Sequence, residues 1–257
     1  MIEKVIEISK QAGEVIRNGY RQDFQVEFKT NTSDLVTEID KRSEKVIMDF
    51  IKKEFPTHGI LTEESGSFSQ QAEYVWVVDP LDGTTNFAHG LPIFSVSIAV
   101  LKNNEPIAGV VYDVMRDVVY SAEKGAGAFE QGKKIHVSTV DNLEQSLLVT
   151  GFPYDVRNNP SHVIERFNAF LFESQAVRRL GSAAIDFCYV ASGIFEGFWE
   201  VTLNPWDIAA GKLIVEEAGG KVTNFKGEPI SVFSKQILAS NGLVHEKMSR
   251  ILQRFQD

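Results

Sequence analysis

Cysteine is all but missing from this chain. Cys188 stands alone among 257 residues, which rules out an internal disulfide and suits a reducing compartment. It sits in the apolar run Ile185-Asp-Phe-Cys-Tyr-Val-Ala191, as a small buried hydrophobe rather than a nucleophile. Long hydrophobic runs are missing as well, and none approaches the ~20 residues of a membrane span. The longest, Ile93 to Leu101, is broken by serines and reads as a strand. Charges at Glu3, Lys4, Glu7 and Lys10 leave no signal-peptide core at the N-terminus. Basic clusters are absent too, and the net charge is −9, so nucleic acid and anionic membrane are poor partners. No internal repeat, low-complexity tract or Pro/Gly/Ser linker divides the chain. These absences point to a soluble, cytoplasmic protein whose residues 1–257 form one domain.

What is present is ordinary globular material, 43% hydrophobic and 24% charged, enough for a sizeable core. Ile2, Val5, Ile6, Val15, Ile16 and Tyr20 share one stripe at helical spacing, which predicts a helix over 2–19. A second helix is expected over 37–54, with Ile39, Ser43, Val46, Ile47, Phe50 and Ile51 inward and Pro56 as its stop. Between them, Asp23 to Ser33 alternates only in part and fits a loop or a short hairpin. Strands are expected at 60–62, 74–78, 93–101, 107–114, 117–122, 127–137 and 146–150. Gly125 and Gly127 read as turn and bulge glycines, since no helix follows them. Residues 161–173 predict a helix with Val163, Ile164, Phe167, Phe170 and Leu171 in the core. A strand at 175–180, a helix to Ser192 and a strand at 194–201 follow. Pro205-Trp206-Asp207 opens the next helix, Gly219-Gly220 closes it, and a last helix covers 244–255. Strands and helices alternate without a clean βαβ repeat, which indicates a layered α+β fold.

The chemistry gathers at residues 74–87, Tyr-Val-Trp-Val-Val-Asp-Pro-Leu-Asp-Gly-Thr-Thr-Asn-Phe. An apolar, β-branched run suits a strand buried on both faces. Pro80, with no N–H to donate, is expected to end its ladder. Asp79 and Asp82 bracket the proline, and Gly83-Thr84-Thr85-Asn86 can open a helix. Unpaired backbone N–H groups at such a turn attract anions. Carboxylates beside an anion seat repel the anion unless a cation lies between, so the stretch asks for a metal and a phosphate together. Two further acidic groups stand at element ends, Glu63-Glu64 and Asp207. Hard divalent cations such as Mg²⁺ take oxygen ligands of this kind.

The run Trp76 to Phe87, WVVDPLDGTTNF, resembles the signature of the inositol monophosphatase family of metal-dependent, lithium-sensitive phosphatases. Asp34-Leu-Val-Thr-Glu-Ile-Asp40 and Thr62-Glu-Glu-Ser65 resemble its upstream boxes, and Trp206-Asp207 to Gly220 its second large signature. The resemblance spans roughly residues 30–242 and implies an αβαβα sandwich whose two halves meet at the active site. It implies that Glu63, Asp79 and the Leu81 carbonyl share one Mg²⁺, and Asp79, Asp82 and Asp207 a second, with two or three ions per site. Gly83 and Thr84 would seat phosphate through backbone N–H groups. Thr84, paired with Asp34, would orient the attacking water, Glu63 completing the catalytic set and Glu64 standing behind it. Gly181, Ser182, Ala183 and Glu200, together with Asp82 and Asp207, fall where the family contacts substrate. Arg178 and Arg179 stand close to that turn, either to take a second phosphate or, as favoured here, simply solvated. The implied reaction is hydrolysis of a small phosphorylated polyol by a metal-activated water, inositol monophosphate being the default. NADP(H) 2′-phosphate, fructose 1,6-bisphosphate and nucleotide bisphosphates are the alternatives, and a non-catalytic binding protein on this fold is the other class. A homodimer is also implied. One departure stands out: Thr62 replaces the family's glycine, so the turn presenting Glu63 is expected to be shaped differently.

Overall fold

A computed structural model describes residues 1–28, 35–68 and 72–255. Helix α1 (Ile2–Gly19) is followed by a two-stranded ribbon, β1 (Val26–Phe28) and β2 (Leu35–Thr37), which runs into α2 (Glu38–Glu54). Then come β3 (Gly59–Thr62), β4 (Gly66–Phe68), β5 (Tyr74–Asp82), the short α3 (Thr84–Ala88), β6 (Ser95–Lys102), β7 (Glu105–Asp113), β8 (Val118–Glu123), β9 (Gly127–Glu130) and β10 (Lys133–Ile135). The second half carries β11 (Leu147–Thr150), α4 (Val163–Glu173), β12 (Ala176–Arg178), α5 (Ala183–Ala191), β13 (Gly197–Val201), α6 (Pro205–Glu217), β14 (Lys221–Thr223), β15 (Gln236–Ser240) and α7 (His245–Leu252).

Eight strands form one sheet in the order β10-β9-β8-β7-β6-β5-β3-β4, antiparallel except for the β3–β5 pair. Five form a second, β12-β11-β13-β15-β14, with β11 parallel to both its neighbours. Helices α1 and α2 cover the outer face of the large sheet, α5 and α6 lie between the sheets, and α4 and α7 cover the small one. The layers are therefore αβαβα. Their cause is visible in the strands: Trp76 and Val78 of β5 enter the outer core while Val75 and Val77 enter the central one. A strand apolar on both faces needs a layer on each side. Helix α6 buries eight consecutive residues, Ile208 to Val215, as a helix held between two sheets must. Its small residues let it approach closely, and a Cβ on Gly109 of β7 would stand 3.0 Å from the Ala210 Cα.

Several sequence expectations are corrected. Strand β5 passes through Pro80 to Asp82, because a bulge absorbs the proline. Asp79 pairs with Ser97 and Asp82 with Ser95, so β5 carries one residue more than β6 there. The buried face of α1 keeps Val5 and Ile16 of the expected stripe and adds Ile8 and Ala12, while Val15 is only half-buried, and Gly13 is set against the Tyr112 ring. In α2 the polar Asp40 and Glu44 are buried on the inward face, while Val46 and Phe50 are only half-buried. Ile164 and Leu171 of α4 are exposed, because an outer-layer helix has only one covered side. Arg166 is buried there instead, its guanidinium donating to the Phe255 carbonyl at 2.6 Å. In the stretch 23–33, Val26–Phe28 forms a strand that pairs antiparallel with Leu35–Thr37, and 29–34 lie outside the described residues. No helix among the described residues is long and apolar enough to cross a membrane.

Candidate active site

The ends of β3 and β5, the N-termini of α5 and α6, and strand β13 open onto one cleft of about 750 Å³. Glycine at position 83 is demanded twice. Its φ is +96°, and a Cβ there would lie 3.0 Å from the Ile93 carbonyl and 3.2 Å from that of Gly181. The organising turn thus lies directly on the 181 turn of the other half. Asn86 clamps the pair, its amide donating to the Ile93 and Leu180 carbonyls, each at 2.8 Å. Asp82 reaches across as well, accepting from Ser182 Oγ and from the backbone N–H groups of Ala183 at 3.2 Å and Ala184 at 3.0 Å. Those are orphan donors of the first turn of α5, so one carboxylate caps a helix and joins the halves.

Four acids share the floor. Glu63 and Asp82 line the cleft with Asp207, and Asp79 lies just beneath at 2% exposure, its Oδ1 accepting from the Leu81 N–H at 3.0 Å. Asp207 accepts from the Asn204 N–H at 2.7 Å in the capping box that starts α6. Burial, and then the charge of Glu63 with those of Asp82 and Asp207, push the Asp79 carboxyl well above the usual range. Burial and Glu63 do the same to Asp207. Asp82 is pushed up to about 6 by burial, against the opposing pull of its hydrogen bonds.

The Thr84 hydroxyl lies 2.8 Å from Asp40 Oδ1 and 3.0 Å from the Leu81 carbonyl. Asp34, the partner expected from the sequence, lies outside the described residues, and among those described the carboxylate at Thr84 is that of Asp40. Asp40 is fully buried, its other oxygen accepting from the Thr37 N–H at 2.9 Å and the Thr37 hydroxyl. Burial pushes it up to about 6. The one available signal was the Thr37–Asp40 capping box, which fixes Asp40 at the start of α2. The residue before Glu63 is also explained. Thr62 donates to Glu44 Oε1 at 2.6 Å, and the same carboxylate accepts from the Glu64 and Ser65 N–H groups at 3.1 and 3.0 Å. The side chain that replaces a glycine is thus a further tie on the turn.

The family model for the inositol monophosphatase family matches residues 1–257. The chain belongs to the inositol monophosphatase family. It is 46% identical over 253 residues to the chloroplastic phosphatase IMPL1 of Arabidopsis thaliana, covering 95% of this chain and 68% of that one. With the Nus factor SuhB of Escherichia coli it shares 41% over 250 residues, 96% and 94% of the two chains. The solved inositol monophosphatase of Anabaena superposes with a TM-score of 0.88 at 40% identity, covering 99% of this chain and 96% of that one. An IMPase/NADP phosphatase complexed with Mg²⁺ and phosphate superposes at 0.84 with 27% identity, over 96% and 92%.

The inositol monophosphatase family is Mg²⁺-dependent, and the residues here fit that ion. All the side chains at the floor are oxygen donors whose burial and mutual repulsion a divalent cation would offset. Among the described residues no three acidic, imidazole or thiol groups already close to metal-ligand spacing. An open chamber suits Mg²⁺, which keeps several waters and takes few protein ligands. Across the cleft, Glu200 is pushed up to about 8 by burial, with Arg179 pulling it down and Asp82 adding to the rise. Its carboxylate lies over Gly151, where a Cβ would collide with it. Gly181, Ser182 and Ala183 line the same wall, the Ser182 hydroxyl being directed at Asp82. Sequence reasoning missed three polar residues here: Asp40, Glu44 and Asp186, each on the inward side of a helix and each looking like a routine helix charge.

Proposed function

We propose that this chain is a Mg²⁺-dependent phosphomonoesterase of a small phosphorylated polyol, with inositol monophosphate as the first substrate to test. The observation that carries the reading is the gathering of Glu63, Asp79, Asp82 and Asp207 beside the Gly83–Thr84 turn in one cleft. Mg²⁺ held by these four side chains and the Leu81 carbonyl would supply Lewis acidity to the attacking water and neutralise charge on the leaving oxygen. The chain's own groups do the rest. Backbone N–H groups of Gly83 and Thr84 bind the phosphate. The Thr84 hydroxyl directs its hydrogen at Asp40, which leaves its oxygen free to accept from a water and orient it. Glu63 stands at the same floor as a second acceptor for that water, and Glu200 accepts hydroxyls of the polyol.

In this reading the chain is one domain, acts in the cytoplasm as a homodimer, and takes a small molecule rather than nucleic acid, as its net charge of −9 supports. A second reading, NADP 2′-phosphatase, is favoured by the IMPase/NADP phosphatase neighbour and by Arg179 at the cleft. Phosphate release from myo-inositol 1-phosphate, p-nitrophenyl phosphate, NADP and fructose 1,6-bisphosphate, each titrated with Mg²⁺, tests both. Saturable Mg²⁺ dependence, loss in EDTA and inhibition by lithium are expected, with the highest kcat/KM on the inositol ester. Full turnover in excess EDTA overturns the reading.

A further inference from the structure

Among the described residues only two buried side-chain polar atoms lack a hydrogen-bond partner, Tyr120 Oη and Asp186 Oδ1. Tyr120 lies in the packed centre of the molecule. Asp186 does not. It is 1% exposed, sits in the first turn of α5 and lines the cleft together with Glu200 from β13. Buried polar groups are paired in the great majority of cases, and an unpaired one is destabilising. Such a group facing a ligand cleft acquires its partner when the ligand arrives.

We propose that Asp186, acting with Glu200, recognises substrate hydroxyls on this wall and is a specificity-determining residue for a polyol that carries a single phosphate. The inference rests on the phosphatase reading above. A hydroxyl both donates and accepts, so it can pair with a carboxyl in either protonation state. A second phosphate offers acceptors and negative charge, and two carboxyl groups on one wall disfavour it. Burial, with Glu200 and Asp82 nearby, holds the Asp186 carboxyl well above the usual range, and Arg179 opposes that rise. Arg179 is exposed at the cleft, where solvent weakens its pull on an incoming anion. The sequence gives little warning of this role, because Asp186 reads as a first-turn acid that favours the helix dipole.

The test compares Asp186→Ala and Asp186→Asn with the unaltered protein on myo-inositol 1-phosphate and on p-nitrophenyl phosphate, which has no polyol hydroxyls. Loss of one hydrogen bond to a charged or strongly polar group is worth about 10–100-fold. The ratio of kcat/KM for the inositol ester over the aryl ester is expected to fall by that factor in Asp186→Ala. Asp186→Asn, which keeps one acceptor oxygen and the volume, should recover part of it. The melting temperature should hold or rise, since an unpaired buried acid has been removed. An equal loss on both esters, or a lower melting temperature with an unchanged ratio, overturns the inference. Binding of myo-inositol itself, followed by ligand-detected NMR, separates this outcome from a failure of the phosphatase reading. Should neither ester be hydrolysed, weaker inositol binding in Asp186→Ala still supports the role of Asp186, and equal binding overturns it.

Discussion

The Thr84 hydroxyl has a single hydrogen and two acceptors within reach, Asp40 Oδ1 at 2.8 Å and the Leu81 carbonyl at 3.0 Å. Asp40 is the stronger acceptor when ionised, and its own position is locked by Thr37. If the pair orients water, each partner removed alone should cost most of the effect. Thr84→Ala and Asp40→Asn are expected to lower kcat by about 10²–10⁴-fold, with KM changed only a few-fold. The losses should not add in the double variant, because the two act as one unit. Steady-state kinetics on p-nitrophenyl phosphate checks this. A Thr84→Ala protein with near-normal kcat and a lower melting temperature would reduce Thr84 to a structural residue.

At the scale of elements, two polar clusters hold the fold where apolar packing alone would leave freedom. Glu44 of α2 gathers Thr62, Glu64 and Ser65, and so sets the turn that presents Glu63. Glu44→Ala leaves those donors without their acceptor, a cost of about 1–3 kcal/mol. Urea denaturation should show it, together with a raised Mg²⁺ requirement for half-maximal stabilisation. The second cluster is His245, whose ring nitrogens lie 2.8 Å from Thr223 Oγ1 and Ser240 Oγ, so that α7 is tied to β14 and β15. Burial holds its pKa down at about 4, from an ordinary 6.5. A histidine depressed by folding contributes stability that is complete above 6.5 and is lost as pH falls towards 4. The contribution is up to about 3 kcal/mol. His245→Asn should therefore lose less of its melting temperature between pH 7 and pH 5 than the unaltered protein does.

Over the whole molecule the site works against the fold. Asp82 and Glu200 are raised to about 6 and about 8, from ordinary values of 3.8 and 4.5. A carboxyl whose pKa is raised by folding imposes no penalty below its unfolded value and a growing one as pH rises through the folded value. The metal-free protein should accordingly lose stability between pH 5 and pH 8 from these groups. Mg²⁺ offsets the cost of burying these charges, so the rise in melting temperature on adding it should be larger at pH 8 than at pH 5.5, as scanning calorimetry can measure. Equal rises at both pH values would separate metal binding from these acids. The cross-links Asp82–Ala184, Asn86–Leu180 and Ser97–Trp206 all join the two halves at the cleft, so this stabilisation should be felt by both.

By itself the sequence determined what local chemistry can determine. The both-faces-apolar run before Asp79, the helical stripes and the Gly83 turn are properties of neighbouring residues, and they sufficed for the strand, the main helices and the layered class. The acidic residues at element ends were equally legible, because carboxylates at the end of a buried strand have few structural uses. The tertiary structure decided everything that depends on residues far apart meeting. Asp34 opens and Asp40 closes the same short motif, and no spacing rule prefers one. Only the seat of α2 against the 80–84 bulge brings Asp40 within 2.8 Å of Thr84. Asp40, Glu44 and Asp186 look like ordinary helix charges until the faces of their helices are known. Pro80 likewise ends a strand in isolation, and persists within one because β6 offers a partner with one residue fewer. Burial, and with it every raised pKa at the site, arises from the closing of two layers over the same acids, which no window of sequence contains.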